Sequence, residues 1–206
     1  MLVLLTLLGG ILSVFWYQQI QYLTPTITPI NYHPVALETP VALSFLEERT
    51  QKRPIFLHFF NPDCPCSRFN QDHFRSLVKK YRDQVDFYTI VQASEEEPLS
   101  EELGIPIISD SNGGIADACG VYATPQAVIL NANSSLYYRG NYNKARYCTT
   151  RSTRFAELAL QAAIEQQPLP LAIQLAGMPY GCNLPSDETP DRPGSAVFSQ
   201  MLNTVF

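Results

Sequence analysis

The chain has 206 residues, 46 % of them apolar and 16 % charged, so it can bury a core and is not globally disordered. A formal charge of −5 excludes nucleic acid or an anionic membrane surface as the main partner, because such binding needs clustered Lys and Arg. Ten of the 16 prolines lie before residue 41 or after residue 167, which marks both ends as linker or wrapping segments rather than core.

Residues 1–23, MLVLLTLLGGILSVFWYQQIQYL, open with an apolar run from Leu2 to Tyr17 and carry Trp16, Tyr17 and Tyr22, residues suited to a membrane interface. A transmembrane anchor or an uncleaved signal is expected here. A cleaved signal peptide is the competing reading, but no Lys or Arg precedes Arg49 and no small-x-small site follows the run. Residues 24–40 hold four prolines and read as an extended linker. Residues 41–166 are expected to form one domain, and residues 167–206 a tail that packs on it or trails from it.

Within the domain, VALSFLEERTQ (41–51) predicts a short amphipathic helix and PIFLHFF (54–60) a strand buried on both faces. Phe69, Phe74, Leu77, Val78 and Tyr81 fall at helical spacing. VDFYTIVQ (85–92) reads as a strand, LSEELG as a short helix, IPIISD as a short strand and GGIADACG as another short helix. PQAVIL and SLYYRG form a hairpin across NANS, and TRFAELALQAAIEQ a last helix. The order β-α-β-α-β-α-β-β-α implies an α/β domain with a mixed central sheet flanked by helices.

The chemistry concentrates in FFNPDCPCSRFN, residues 59–70. A buried strand ends at Phe60 and a helix starts a few residues later. Pro65 suits the first helical position, which puts Cys64 at the N-cap and Cys66 in the first turn. Unpaired N–H groups and the positive end of the helix dipole favour a thiolate there, and a thiolate is both nucleophile and leaving group in disulfide exchange. Cys64 and Cys66 are therefore the expected redox pair. The other cysteines are Cys119, Cys148 and Cys182. Five is odd, so at least one is free, reactive or intermolecular. Cys119 is expected to be a small buried hydrophobe. Cys148 and Cys182 lie in loop-like sequence, where a bond between them would pin the tail to the domain. The alternative is that one of them resolves a mixed disulfide on Cys64.

Three elements together resemble the thioredoxin-like superfamily: the strand FLHFF, the cysteine pair opening a long helix, and GVYATPQAVIL downstream. The likeness spans about residues 41–186 and is closest to membrane-anchored, exported redoxins, some of which carry a Gly-Cys segment near the C-terminus like PYGCNLP here. It implies that Thr124 and Pro125 occupy the site-shaping dipeptide whose proline is cis, beside Cys64, Pro65 and Cys66. It also implies that His58 stands where the family keeps a buried proton-transfer group. The family spacing has two residues between its cysteines. Here Pro65 alone separates them, and Ser67 falls where the second cysteine would be.

The implied function is a membrane-tethered thiol–disulfide oxidoreductase, a single-pass inner-membrane protein with its domain in the periplasm. Its partners would be protein thiols or disulfides, and the N-terminal helix would hold the membrane. No organic cofactor is implied, since no Gly-rich phosphate loop occurs. Two alternatives stay open: a copper- or zinc-handling protein using Cys64, Cys66 and His58, and a non-catalytic interaction domain. The peroxidase branch is disfavoured, because it needs Thr or Ser three residues before its cysteine, where this chain has Asn61 or Asp63.

Overall fold

The computed structural model describes residues 2–20, 25–47, 49–92, 98–144, 151–174 and 176–184. Helix α1 (Leu2–Ile20) carries apolar residues all round, and its side chains from Val3 to Trp16 are exposed. The expected transmembrane anchor spans residues 1–23, of which residues 1 and 21–23 lie outside the described residues. At about 1.5 Å per residue a helix of 19 residues reaches about 28 Å, short of a roughly 30 Å hydrocarbon core. Among the described residues no helix is long and apolar enough to cross a membrane.

The domain begins at strand β1 (Ile55–Phe60), all six residues of which are buried. Helix α2 (Pro65–Tyr81) follows, then strand β2 (Asp86–Val91), helix α3 (Pro98–Leu103), strand β3 (Ile107–Ser109) and helix α4 (Gly114–Cys119). Strand β4 (Ala123–Thr124), strands β5 (Gln126–Leu130) and β6 (Leu136–Gly140), and helix α5 (Phe155–Ile164) complete the domain. Helix α6 (Leu171–Gln174) and strand β7 (Cys182–Asn183) belong to the C-terminal segment. The helix expected over 41–51 is a single 3-10 turn, Ser44–Leu46, whose Leu46 is buried.

The main sheet runs β3-β2-β1-β5-β6. β1 pairs in parallel with β2, and β2 with β3, while β1–β5 and β5–β6 are antiparallel. This is the mixed sheet of a thioredoxin-like fold. β1 lies at its centre, which explains the unbroken apolar run: neither of its faces meets water. One face packs Phe56 with Phe74, Leu77, Val78 and Leu160 of α2 and α5. The other packs Leu57 and Phe59 with Val41, Leu43, Cys119 and Val121.

The proline-rich segment before the domain is laid along it. Glu38 N–H donates to the Leu136 carbonyl (2.7 Å) and Val41 N–H to that of Ser134 (2.9 Å). Tyr32 Oη donates to the Gly120 carbonyl (2.9 Å), and the Tyr32 and Tyr122 rings meet edge-on at 4.6 Å.

Buried Asp110 organises the entry to α4, its carboxylate accepting from the backbone N–H groups of Ile115 and Ala116, both at 2.9 Å. Asp110→Ala leaves those donors unpaired and is expected to lower the unfolding free energy by about 2 kcal/mol in urea titration. A change below about 0.5 kcal/mol would show that water takes over both bonds.

Candidate functional site

The site forms where β1 hands over to α2. The Asn61 carbonyl accepts from Cys64 N–H (3.1 Å) and its side-chain oxygen from Asp63 N–H (2.8 Å), closing a tight turn. Cys64 is the N-cap in extended conformation, with Pro65 next in the first turn. The Cys64 carbonyl accepts from Ser67 N–H at 3.0 Å, the start of the helical ladder. Ser67, where the family norm would place a cysteine, is fully buried, and its hydroxyl accepts from Asn61 N–H (3.3 Å). It supports the turn.

The second wall is the loop from α4 into β5. Gly120 ends α4 at φ 68°, and the Arg139 guanidinium donates to the Cys119 carbonyl (3.1 Å) and to that of Val35 (3.0 Å). The Thr124–Pro125 peptide is cis. Cys64 Sγ lies 3.5 Å from the Thr124 carbonyl oxygen. Cys64, Pro65, Cys66, Thr124 and Pro125 thus stand at one place, as the sequence arranges them.

The cysteine pairing differs from the expectation. Cys64 is bonded to Cys182, 118 residues away, while Cys66 and Cys119 are buried thiols. The reason is geometric: residues two apart at the start of a helix point to different sides, so Cys64 and Cys66 do not face each other. A Cys148–Cys182 staple is ruled out in this arrangement because Cys182 is already used; Cys148 itself lies outside the described residues. For Cys119, burial pushes the thiol up to about 12, in keeping with a packing role.

Cys182 reaches the site on β7, which pairs antiparallel with β4 through Thr124↔Cys182 and Ala123↔Asn183. Leu184 N–H donates to the Tyr122 carbonyl (3.1 Å), and the Leu184 side chain is buried with Val121. On the far side, Thr26 Oγ1 donates to the Gly181 carbonyl (3.2 Å) and Thr26 N–H to that of Pro179 (2.9 Å). Asn141 Oδ1 accepts from Tyr180 N–H (3.2 Å). Cys66, Asn70, Pro125, Asn141, Tyr142, Asn143 and Tyr180 line a cavity of about 20 Å³ under this segment, room for one water. Cys64 is 1 % exposed and Cys182 part-exposed, so a reagent arriving from solvent meets Cys182 first.

His58 lies on β1, two residues before its end. It is fully buried, its Nδ1 is 2.5 Å from Tyr142 Oη, and its ring stacks on Phe74 with centroids 4.1 Å apart. Burial without a counter-charge holds the imidazole down at about 3, which favours its neutral form at ordinary pH. It completes no metal set. Among the described residues no three His, Cys, Asp or Glu side chains converge as ligands.

A family model described as a domain of unknown function, DUF6436, matches residues 35–183. The chain belongs to this DUF6436 family. The match begins in the segment that wraps the domain and ends at β7, so both flanks of the site lie inside it. Among solved structures, an uncharacterized conserved protein from Geobacillus kaustophilus is similar at 21 % identity and TM-score 0.59, covering 81 % of this chain and 99 % of that one. A hypothetical protein from Sinorhizobium meliloti 1021 is similar at 18 % identity and TM-score 0.58, covering 73 % and 94 %. A secreted Mycobacterium tuberculosis disulfide oxidoreductase is similar at 18 % identity and TM-score 0.42, covering 56 % and 83 %. Identities of this order speak to the fold alone. No curated protein matches the chain.

Proposed function

We propose that this DUF6436 protein exchanges disulfides with protein cysteines in an oxidising compartment outside the cytoplasm, with Cys64 as the exchanging sulfur. One observation carries the reading. Cys64 sits at a helix N-cap against the residue before a cis-proline, in a disulfide whose other half is on a segment strand-paired to that same edge. A mixed disulfide between such a nucleophile and an extended partner has this form. The bond supports this choice of compartment, since disulfides persist most readily where thiols are not kept reduced.

In the proposed cycle an incoming protein thiolate attacks Cys182 Sγ. A new S–S bond forms there, the Cys64–Cys182 bond breaks, and Cys64 leaves as a thiolate. The first-turn N–H groups and dipole of α2 stabilise that charge. A second thiol releases Cys182 from the incoming protein, so two electrons enter in all. Cys64 then attacks a disulfide in a partner, one partner sulfur leaves as thiolate, and Cys182 closes back onto Cys64 to free the other. Pro65, Thr124 and Pro125 shape the place of attack. Cys66 is outside this cycle, where the sequence pattern would put it at the centre.

A non-catalytic staple is the second reading, favoured by the deep burial of Cys64. Equilibration in glutathione buffers, with thiol trapping and mass spectrometry, separates the two. Exchange calls for a reversible two-electron transition of Cys64 and Cys182 between about −180 and −270 mV, unchanged in Cys66→Ser. A potential below about −300 mV is that of a structural bond, and the staple reading would then stand.

A further inference from the structure

We infer that the edge of β4 beside Cys64 is a peptide-accepting groove selective for glycine immediately before the cysteine, and that residues 179–184 fill it as the chain's own substrate mimic. This rests on the exchange reading above and adds to it the class of partner.

The selectivity is steric. Gly181 precedes Cys182 at φ 123°, a conformation that L side chains rarely adopt. A Cβ built there would lie 2.0 Å from the Thr124 carbonyl oxygen, 2.9 Å from its carbon and 3.3 Å from Pro125 Cδ. The two closest atoms are backbone of the loop that positions Cys64, so neither can swing aside as a side chain would. The register is fixed as well. Thr124 faces Cys182 and Ala123 faces Asn183, so the residue before the cysteine always meets the Thr124 carbonyl.

Two further positions are read. The residue two after the cysteine is buried against Val121, as Leu184 is, which calls for an apolar side chain. The residue two before it gives its N–H to Asn141 Oδ1, as Tyr180 does. Thr26 closes the other edge of the strand at the Gly181 carbonyl. The groove therefore recognises an extended Gly-Cys-x-apolar segment. An external partner bearing one competes with the tail for the same backbone edge and the same sulfur.

The test uses the full chain as Cys182→Ser, which leaves Cys64 a thiol with the tail still present. Two synthetic peptides, PYGCNL and PYACNL, each carry glutathione in disulfide linkage on the cysteine. Cys64 thiolate attacks the peptide sulfur, the Cys64–peptide bond forms, and glutathione leaves as thiolate. Mass spectrometry follows the adduct. The glycine peptide is expected to be captured at least roughly tenfold faster than the alanine peptide. The double variant Gly181→Ala/Cys182→Ser, whose tail carries the clashing methyl, is expected to capture the glycine peptide faster than Cys182→Ser alone. The same methyl thus slows capture in the peptide and speeds it in the chain, a reversal that general loss of structure does not produce. Cys182→Ala serves if the serine variant does not fold.

Capture of the two peptides within about twofold of each other overturns the groove and leaves exchange standing. So does reaction of Cys64 with glutathione disulfide but with neither peptide. If Cys64 reacts with no disulfide at all, the exchange reading falls and the groove with it.

Discussion

Cys182→Ser is expected to lower the unfolding free energy by about 4–5 kcal/mol, more than the loss of any one hydrogen bond or buried thiol in the domain. The Cys64–Cys182 bond joins residues 118 apart, and in the chain-entropy account a loop of about 100 residues restrains the unfolded chain by about 4.7 kcal/mol. For a chain of this size that is a fall in Tm of roughly 10–20 °C. Dithiothreitol should impose a similar loss on the wild type and almost none on the variant. Cys66→Ser, which breaks no disulfide, is expected to cost only about 1 kcal/mol. If Cys182→Ser and wild type unfold within about 1 kcal/mol of each other, the bond does not restrain the chain and the tail is not held as described.

The same figure bears on chemistry. Whatever the bond contributes to the fold, the fold contributes to the bond, and about 1.4 kcal/mol corresponds to 30 mV for a two-electron couple. Folding therefore lowers the reduction potential of this pair by roughly 100 mV relative to the same cysteines in the unfolded chain. A reversible transition in the exchange range requires the tail to leave at modest cost. The β4–β7 ladder is short, two paired residues on each strand, and the other contacts described for residues 179–184 are hydrogen bonds from Thr26, to Asn141 and to Tyr122 and one buried leucine.

The sheet was legible because each strand has its own signature. The run from Ile55 to Phe60 needs two buried faces, and Asn131 to Ser134 is turn-rich sequence between two apolar strands. The local geometry around Cys64 was legible for the same reason: a strand end, a proline at the first helical position and a Thr-Pro dipeptide each constrain the backbone. The pairing of Cys64 was not. Which cysteines meet depends on where a long connection returns, and connectivity is not encoded in spacing. Strand β7 was missed because a two-residue strand has no periodicity to read. Residues 24–40 read as an extended linker because prolines signal extension equally when the chain is free and when it is laid along a surface. Gly181 carried a usable signal. A glycine fixed between Tyr180 and Cys182 raises the question of what backbone approaches it.

The second large effect is acid destabilisation. His58 and His73 are both buried and held neutral, at about 3 and about 4 respectively, by loss of solvation, which for His73 is reinforced by Arg154 and opposed by Glu157. In the unfolded chain each titrates near 6.5. Above that value neither state binds the proton and stability is at its full level. As pH falls below it, the unfolded chain takes up protons that the folded chain refuses, and stability is lost at up to about 1.4 kcal/mol per pH unit for each histidine. The loss runs from about 6.5 down to about 4 for both groups, and on to about 3 for His58 alone. Glu157, whose burial raises its pKa but which Lys80 and Arg154 together hold below its usual value, acts in the same direction at lower pH. Between pH 7 and pH 5 the two histidines together are expected to remove about 3–4 kcal/mol, measured as the shift in urea midpoint. His58→Gln, which keeps a hydrogen-bonding group toward Tyr142, should roughly halve the slope near pH 5. A wild-type loss below about 1 kcal/mol over that range would mean the imidazoles accept protons in the folded state, and His58 would return as a proton carrier for Cys64. On the geometry described, Cys64 leaves the disulfide as a thiolate without releasing a proton, any proton it later takes up is exchanged with solvent or the partner, and the pH dependence of exchange near neutrality belongs to the reacting thiols.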